Sequence, residues 1–150
     1  FSRKADIVMT MDADGQHRAA DMEALVRPIV EGQADYVMGS RFFGQYEDAG
    51  GWRHLGILFF NRVIHLLAGV KITDCTNGFR AIRAEGLAKL DLREDRFNAP
   101  ELLMEAARHK LRIREVPITV RKRAAGQSKK PPHLRYPLGF LATILKVWLR

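Results

Sequence analysis

Cysteine occurs once in these 150 residues, as Cys75, which excludes an intramolecular disulfide framework and a thiolate zinc cage. Long apolar runs are missing: none approaches the ~20 residues that cross a bilayer as a helix. The opening residues carry no signal-peptide pattern. No internal repeat, low-complexity tract or second domain is visible. Acidic residues disappear altogether after Glu115. Residues 121–150 hold Arg121, Lys122, Arg123, Lys129, Lys130, Arg135, Lys146 and Arg150, and neither Asp nor Glu. These are 8 of the 25 basic residues, so residues 1–120 balance at 17 positive against 17 negative and the tail carries the whole net charge of +8. A confined basic field points to a polyanionic partner, whether nucleic acid, an anionic membrane surface or a phosphorylated substrate; a solubilising tail is the plainer alternative.

What is present fits one globular domain: 47% of the residues are apolar and 28% charged. The chain opens on Phe1 rather than Met and runs almost at once into strand-like sequence. The expectation is a piece whose N-terminal part is absent. Ala5 to Met11 is a nearly continuous apolar run, which predicts a strand buried on both faces of a parallel sheet. A turn, Asp12-Ala-Asp-Gly-Gln-His17, follows it. Met22, Leu25, Val26, Ile29 and Val30 share one helical stripe that Gly32 closes. Asp35 to Phe43 reads as a second strand, completing a βαβ unit of α/β type.

Trp52 to Leu67 has the apolar density of a mostly buried helix, stopped at Gly69. Thr73 to Arg80 is rich in turn formers. Asn98 is an expected N-cap, with Pro100 just inside an amphipathic helix that runs from Glu101 to His109. Ile113 to Val120 reads as a strand, and Pro117 within it argues for an edge or a bulge. Arg121 to Pro132 is a basic loop. Leu138, Leu141, Ile144, Leu145 and Trp148 then mark a C-terminal amphipathic helix.

Asp12 and Asp14, two residues apart directly after a buried strand, form the strongest local signal. In open α/β sheets ligands gather at the carboxyl ends of strands. Two carboxylates so close repel each other unless a cation joins them, and a hard oxygen site suits Mg²⁺ or Mn²⁺, with Gln16 a further oxygen donor. Three alternatives stand beside this. A calcium loop from Asp12 finds Glu23 at its twelfth position but His17 where glycine is required. A haloacid-dehalogenase-type phosphatase also uses Asp-x-Asp, but Gly15 and Gln16 depart from its pattern. A solvated turn that caps the next helix needs no ligand.

Five segments carry a family resemblance: Met11-Asp-Ala-Asp-Gly-Gln-His17, Gly39-Ser-Arg-Phe42, Asp74-Cys-Thr-Asn-Gly-Phe-Arg80, Glu115-Val-Pro-Ile118 and Arg123-Ala-Ala-Gly-Gln-Ser-Lys129. In this order they resemble the family-2 glycosyltransferases, specifically the polyprenol-phosphate branch that includes dolichol-phosphate mannose synthase. The resemblance implies a GT-A fold, Rossmann-like with a mostly parallel sheet and flanking helices, here lacking its first βα units. It places the C-terminal part of that domain at 1–130 and a basic amphipathic juxtamembrane-type helix at 131–150.

The implied reaction is inverting transfer from a nucleoside-diphosphate sugar to a polyprenyl phosphate, at the cytoplasmic face of a membrane with an anionic surface. Nucleic acid is not an expected partner, because no aromatic stacking platform interleaves the basic residues. The implied metal ligands are Asp12, Asp14 and Gln16, holding Mg²⁺ or Mn²⁺. The implied substrate and phosphate contacts are Asp12, Arg41, Asn77, Arg80, Arg123, Ser128 and Lys129, and the catalytic residues Asp14, Arg80, Arg123 and Glu101. Arginine's planar fork suits phosphate oxygens. Glu101 has two readings of equal weight: orienting the sugar or acting as base, and favouring its helix N-terminus. His17 lines the donor site or plays a structural part, and Cys75 reads as a small buried hydrophobe.

Two departures from the family pattern stand out. The base-binding first strand is absent, so the piece by itself is expected to be inactive. Leu58 stands where relatives often carry a phosphate-contacting Arg, for which Arg53 or Arg62 could compensate. Transfer to a sugar hydroxyl, and a non-catalytic basic module for anionic lipid or nucleic acid, are the alternative functions. The tail helix either lies on a membrane or packs on the domain.

Overall fold

The computed structural model describes residues 4–46, 51–95, 97–121 and 135–150. Four strands, β1 (Ile7–Thr10), β2 (Tyr36–Tyr46), β3 (Arg80–Arg83) and β4 (Ile113–Val120), form one sheet in the order β1-β3-β2-β4. The helices are α1 (Met22–Val30), α2 (Gly51–Ala68), the short α3 (Ala84–Leu87), α4 (Asn98–Arg108) and α5 (Arg135–Trp148). β3 runs antiparallel to both its neighbours, while β2 and β4 are parallel. β1, β2 and β4 therefore point the same way, and the class is α/β as expected.

β1 departs from the sequence reading. It is an edge strand among the described residues, half-buried from Ile7 to Met9 and exposed at Thr10, rather than a strand covered on both faces. The reason is β3, which inserts between β1 and β2. The sequence reading placed Arg80 at the end of a loop and gave Ala81 to Arg83 no element: β3 is four residues long with an arginine at each end, too short and too charged to show an alternating pattern.

The sheet separates two apolar layers, as alternation along a strand dictates. Val37 and Ala81 join Leu25, Ile29, Phe79, Ile118 and Val120 under α1. Tyr36, Met38 and Ile82 face the other way, against Phe60 and Ile64 of α2, Leu103 and Met104 of α4, and Phe140, Ile144 and Val147 of α5. Gly32 and Gly69 end their helices at φ of +69° and +71°, the left-handed conformation glycine adopts without strain. Pro117 lies opposite Ser40 on the edge strand β4, immediately before the register shift between Ser40 and Gln45.

Three helix expectations need correction. Asn98 is the first residue of α4, not its cap; Phe97 precedes the helix and caps nothing with its side chain. α2 is apolar on two opposite faces. Phe60, Asn61 and Ile64 turn inward, while Leu55, Leu58, Phe59 and Leu66 are exposed, Leu66 by 68%. The stripe expected on α5 is likewise split. Ile144 turns inward with Phe140 and Val147, whereas Leu138, Leu145 and Trp148 face out. Apolar density alone does not distinguish an inward stripe from an outward one.

Candidate functional site

The carboxyl ends of β1, β2 and β4 and the amino end of β3 lie on one side of the sheet. The acidic turn leaves β1 there at one edge and is stitched to the other edge at β4. The Gln16 and Arg121 backbones exchange a hydrogen bond (2.9 Å), the Gln16 side-chain amide donates to the Arg121 carbonyl (3.0 Å), and His17 bridges to Val120. Gly15 makes the reversal at φ +75°. Asp14 Oδ1 accepts the Gln16 N–H at 3.1 Å, an Asx-type closure of the turn. Downstream, Asp21 accepts the Thr119 N–H at 2.8 Å.

Asp12 is exposed, and its carboxylate lies against Gly78. A Cβ at position 78 would meet Asp12 Oδ1 at 2.9 Å and Oδ2 at 3.0 Å, so glycine is what allows this approach. The Thr10 hydroxyl donates to the Gly78 carbonyl at 2.9 Å, tying the end of β1 to the same segment. His17 packs its ring on Phe79 at 4.9 Å. Burial pushes the His17 imidazole below its usual pKa although Asp12 and Asp14 pull the other way, so it is neutral at pH 7.

The segment 73–78 is held from three sides. Asp74, fully buried, forks the Arg41 guanidinium from Nε (2.7 Å) and Nη2 (2.6 Å) and accepts the Arg41 N–H; Arg41 also donates to Thr76 Oγ1 (2.6 Å). From below, the Glu115 carboxylate accepts the N–H groups of Thr73 and Asp74 and the Thr73 hydroxyl. Burial raises the Glu115 pKa against those bonds, which lower it. From α2, Asn61 donates to the Thr73 carbonyl (2.6 Å) and accepts the Cys75 N–H (3.1 Å). Cys75 is the buried small hydrophobe expected, its thiol pushed up to about 12 by desolvation.

Arg80 and Asn77 turn into the protein. Arg80 is 3% exposed, and its guanidinium donates to the carbonyls of Asn77, Cys75 (2.9 Å) and Ala99 (2.6 Å) and to the Tyr36 hydroxyl (2.9 Å). Asn77 Oδ1 accepts the Phe79 N–H at 2.9 Å, an Asx turn that shapes the approach to β3. Glu101 is fully buried on α4. It accepts the N–H groups of Arg93 (2.8 Å) and Glu94 (2.9 Å) and pairs with Arg150, two residues past the end of α5, at 3.1 Å. These bonds tie the loop before α4 to the end of the chain, which is neither of the two expected roles, orienting the sugar or favouring the helix N-terminus.

The acidic turn and the Asp74–Gly78 segment fall within one stretch that matches a known family. Residues 3–91 match the profile of Glycosyl transferase family 2. The chain belongs to glycosyl transferase family 2. It is 36% identical over 119 residues to a UDP-N-acetylglucosamine–dolichyl-phosphate N-acetylglucosaminyltransferase of Methanococcus voltae, covering 76% of this chain and 47% of that protein. A polyprenol monophosphomannose synthase of Mycolicibacterium smegmatis is 34% identical over 133 residues, covering 85% and 50%. An undecaprenyl-phosphate mannosyltransferase of Micrococcus luteus is 32% identical over 137 residues, covering 86% and 55%. The chain thus spans about half the length of the curated relatives it matches.

Within this family-2 domain, the structure brings Asp12, Asp14, Gln16 and Arg41 to one end of the sheet and turns Asn77, Arg80 and Glu101 inward. Arg123, Ser128 and Lys129 lie outside the described residues. Leu58 stands on the outward stripe of α2, and Arg62 shares that face, between Phe59 and Leu66. The anchors Asn61 and Glu115 were not singled out as site residues from the sequence. Glu115 could have been, since it opens one of the five family segments; an asparagine inside an apolar helix was the only signal for Asn61.

The donor chemistry at the turn fits a hard divalent cation. Asp12 and Asp14 supply carboxylate oxygens, and because Gln16 uses its amide nitrogen on Arg121, its carbonyl oxygen is the atom left for a cation. Among the described residues no three of His, Cys, Asp and Glu gather into a cage.

Proposed function

We propose that the full-length protein transfers a sugar from a nucleoside-diphosphate sugar to a polyprenyl-type phosphate, with inversion at the anomeric carbon. The observation that carries this reading is the placement of Asp12 and Asp14 at the carboxyl end of β1, against the segment 74–78 whose Asp74 and Thr76 hold Arg41. Acids for a cation and a cation for phosphates thus border the same few residues. The relatives named for dolichyl, polyprenol and undecaprenyl phosphate support the acceptor class.

In the proposed reaction an acceptor phosphate oxygen attacks the anomeric carbon. The bond from that carbon to the donor diphosphate breaks, and its electron pair leaves with the nucleoside diphosphate. A phosphate monoester has a second pKa near ~6 and is already largely dianionic at neutral pH, so it needs no strong base. The burial of Glu101 supports this acceptor over a sugar hydroxyl, because a hydroxyl acceptor needs a base and Glu101 is occupied elsewhere. Asp12, Asp14 and Gln16 would hold Mg²⁺ or Mn²⁺, which when bound offsets the charge of the departing diphosphate as a Lewis acid.

The acceptor lipid places the protein at a bilayer, peripherally and at the cytoplasmic face in this proposal. No helix among the described residues is long and apolar enough to cross a membrane. The outward stripes of α2 and α5, with the basic residues of 121–150, supply the two signals, apolar and cationic, that firm surface binding needs.

Titrating the full-length protein with nucleoside diphosphate, with and without Mn²⁺, tests the centre of the proposal. Affinity is expected to fall at least about tenfold when Mn²⁺ is removed or in Asp14→Ala, and sugar transfer to polyprenyl phosphate is expected to disappear. Binding indifferent to both the metal and the substitution would sink the reading.

A further inference from the structure

Gly78 stands across from Asp12. β1 and β3 pair Met9 with Ala81 and Thr10 with Arg80, and the same antiparallel register carried two residues further sets Asp12 opposite Gly78. The Thr10 hydroxyl, bonded to the Gly78 carbonyl, keeps the two segments together past the last ladder pair. Residues opposite one another in such a pair hold their Cβ atoms about 5 Å apart, so a bare Cα on one side leaves room for the other side chain. Gly78 has no left-handed φ; among the described glycines that conformation belongs to Gly15, Gly32 and Gly69. Glycine serves here for space, not for a turn.

One group occupies that space. The three atoms nearest a Cβ at position 78 all belong to the Asp12 carboxylate: Oδ1 at 2.9 Å, Oδ2 at 3.0 Å and Cγ at 3.1 Å. Because Cγ is nearly as close as the oxygens, turning the carboxylate about χ2 would not clear a methyl there. Asp12 would have to leave for another χ1 well, a step of about 120°. The wall on the other side is fixed. Asn77 and Phe79 are buried on either side of Gly78, the Phe79 N–H donates to Asn77 Oδ1, and the Phe79 carbonyl accepts the Gly39 N–H at 2.9 Å. Arg80, next in the chain, is locked by three carbonyls. Asp12 by contrast is exposed and accepts no hydrogen bond from the described residues, so it is the group that would give way.

We propose that Gly78 is a positioning residue of the metal site: its missing side chain keeps open the one χ1 well from which Asp12 serves as a ligand. The inference rests on the reading that Asp12, Asp14 and Gln16 hold a divalent cation. A methyl at position 78 acts on the cation through Asp12 alone and leaves the fold as it is.

The test titrates the full-length protein with Mn²⁺ in the presence of nucleoside diphosphate, reading free Mn²⁺ by electron paramagnetic resonance. Gly78→Ala is expected to bind Mn²⁺ about tenfold more weakly, the scale on which groups that orient a ligand act on metal affinity. Its melting temperature without metal is expected to match wild type or rise by up to about 3 °C, since alanine fits this backbone and narrows the unfolded chain. In an Asp12→Ala background the same substitution is expected to change Mn²⁺ affinity by less than about twofold, because the residue it acts through is gone. Three results overturn the proposal: wild-type affinity in Gly78→Ala, an undiminished loss in the Asp12→Ala background, or a melting temperature lower by more than about 5 °C. The last would put the clash on backbone rather than on Asp12. Asp14→Ala separates this inference from the reading beneath it. If Asp14→Ala loses Mn²⁺ while Gly78→Ala keeps it, only the Gly78 assignment falls. If Asp14→Ala binds Mn²⁺ as wild type does, or wild type binds none, the metal reading falls and takes the Gly78 assignment with it.

Discussion

Arg41 and Arg80 carry the same charge on neighbouring segments and end in different environments. Arg41 lies against a carboxylate at the edge of the site, with Asp74 and Thr76 fixing its plane. Arg80 is a buried cation surrounded by carbonyl dipoles, and those dipoles fix the course of the segment from Cys75 to Asn77 and the start of α4. Removing it orphans three carbonyls and the Tyr36 hydroxyl, each costing on the order of 1 kcal/mol or more when left unpaired. Arg80→Met is therefore expected to lower the melting temperature of the full-length protein by about 10 °C, the equivalent of roughly 3 kcal/mol. A calorimetric scan checks this; a variant that melts like wild type but binds phosphate poorly would return Arg80 to the ligand set. Motif order singled out the two segments that hold Asp12 and Gly78, and these two residues lie against each other. It could not tell which arginine turns inward, because that depends on the direction of carbonyls two or three residues away, which residue type and spacing do not encode.

Elements show the same division between pattern and partner. α1 was legible because most of its apolar stripe, Leu25 and Ile29 above all, faces a single layer, although Val30, expected on that stripe, is exposed. β3 was not, since four residues flanked by arginines have too little period to read. α2 was recognised as a helix and misjudged in its surroundings. Its inward face carries a polar residue, Asn61, and its outward face carries leucines, the reverse of the usual arrangement. The physical reason is that Asn61 closes two backbone groups of the irregular segment 73–75, which a purely apolar face would leave buried and unpaired. Asn61→Leu keeps the branched shape and removes both bonds, a cost of about 2 kcal/mol. Amide exchange read by mass spectrometry is expected to accelerate at least about tenfold in a peptide containing Thr73 to Cys75, with little change in the β2–β4 ladder. Equal acceleration in both would make Asn61 a generic core residue rather than an anchor of this segment.

At the scale of the whole molecule, charge and apolar surface are both lopsided. One side of the sheet is closed by α1, while the other carries α2 and α5, each apolar on its inner and outer faces. A helix apolar all round normally lies inside something. Here Leu55, Leu58, Phe59 and Leu66 on α2, Leu138, Leu145 and Trp148 on α5, and Leu149 just after it, are exposed, several by more than half. The net charge of +8 resides in 121–150, the region that contains α5. Insertion of such side chains at a bilayer surface contributes about 0.8 kcal/mol per buried CH₂, and each adjacent basic residue roughly 1 kcal/mol against anionic lipid. Because Cys75, the single cysteine of these 150 residues, is fully buried, it does not compete for label with a cysteine introduced among them. An environment-sensitive fluorophore at position 58, 66, 138 or 145 of the full-length protein is expected to shift to the blue in anionic vesicles. The same label at Val30, 71% exposed on α1, is expected to report water throughout. Labels on the α2 and α5 stripes that stay as wet as the one at position 30 would rule out this face as the membrane surface, whatever the rest of the protein does at the bilayer.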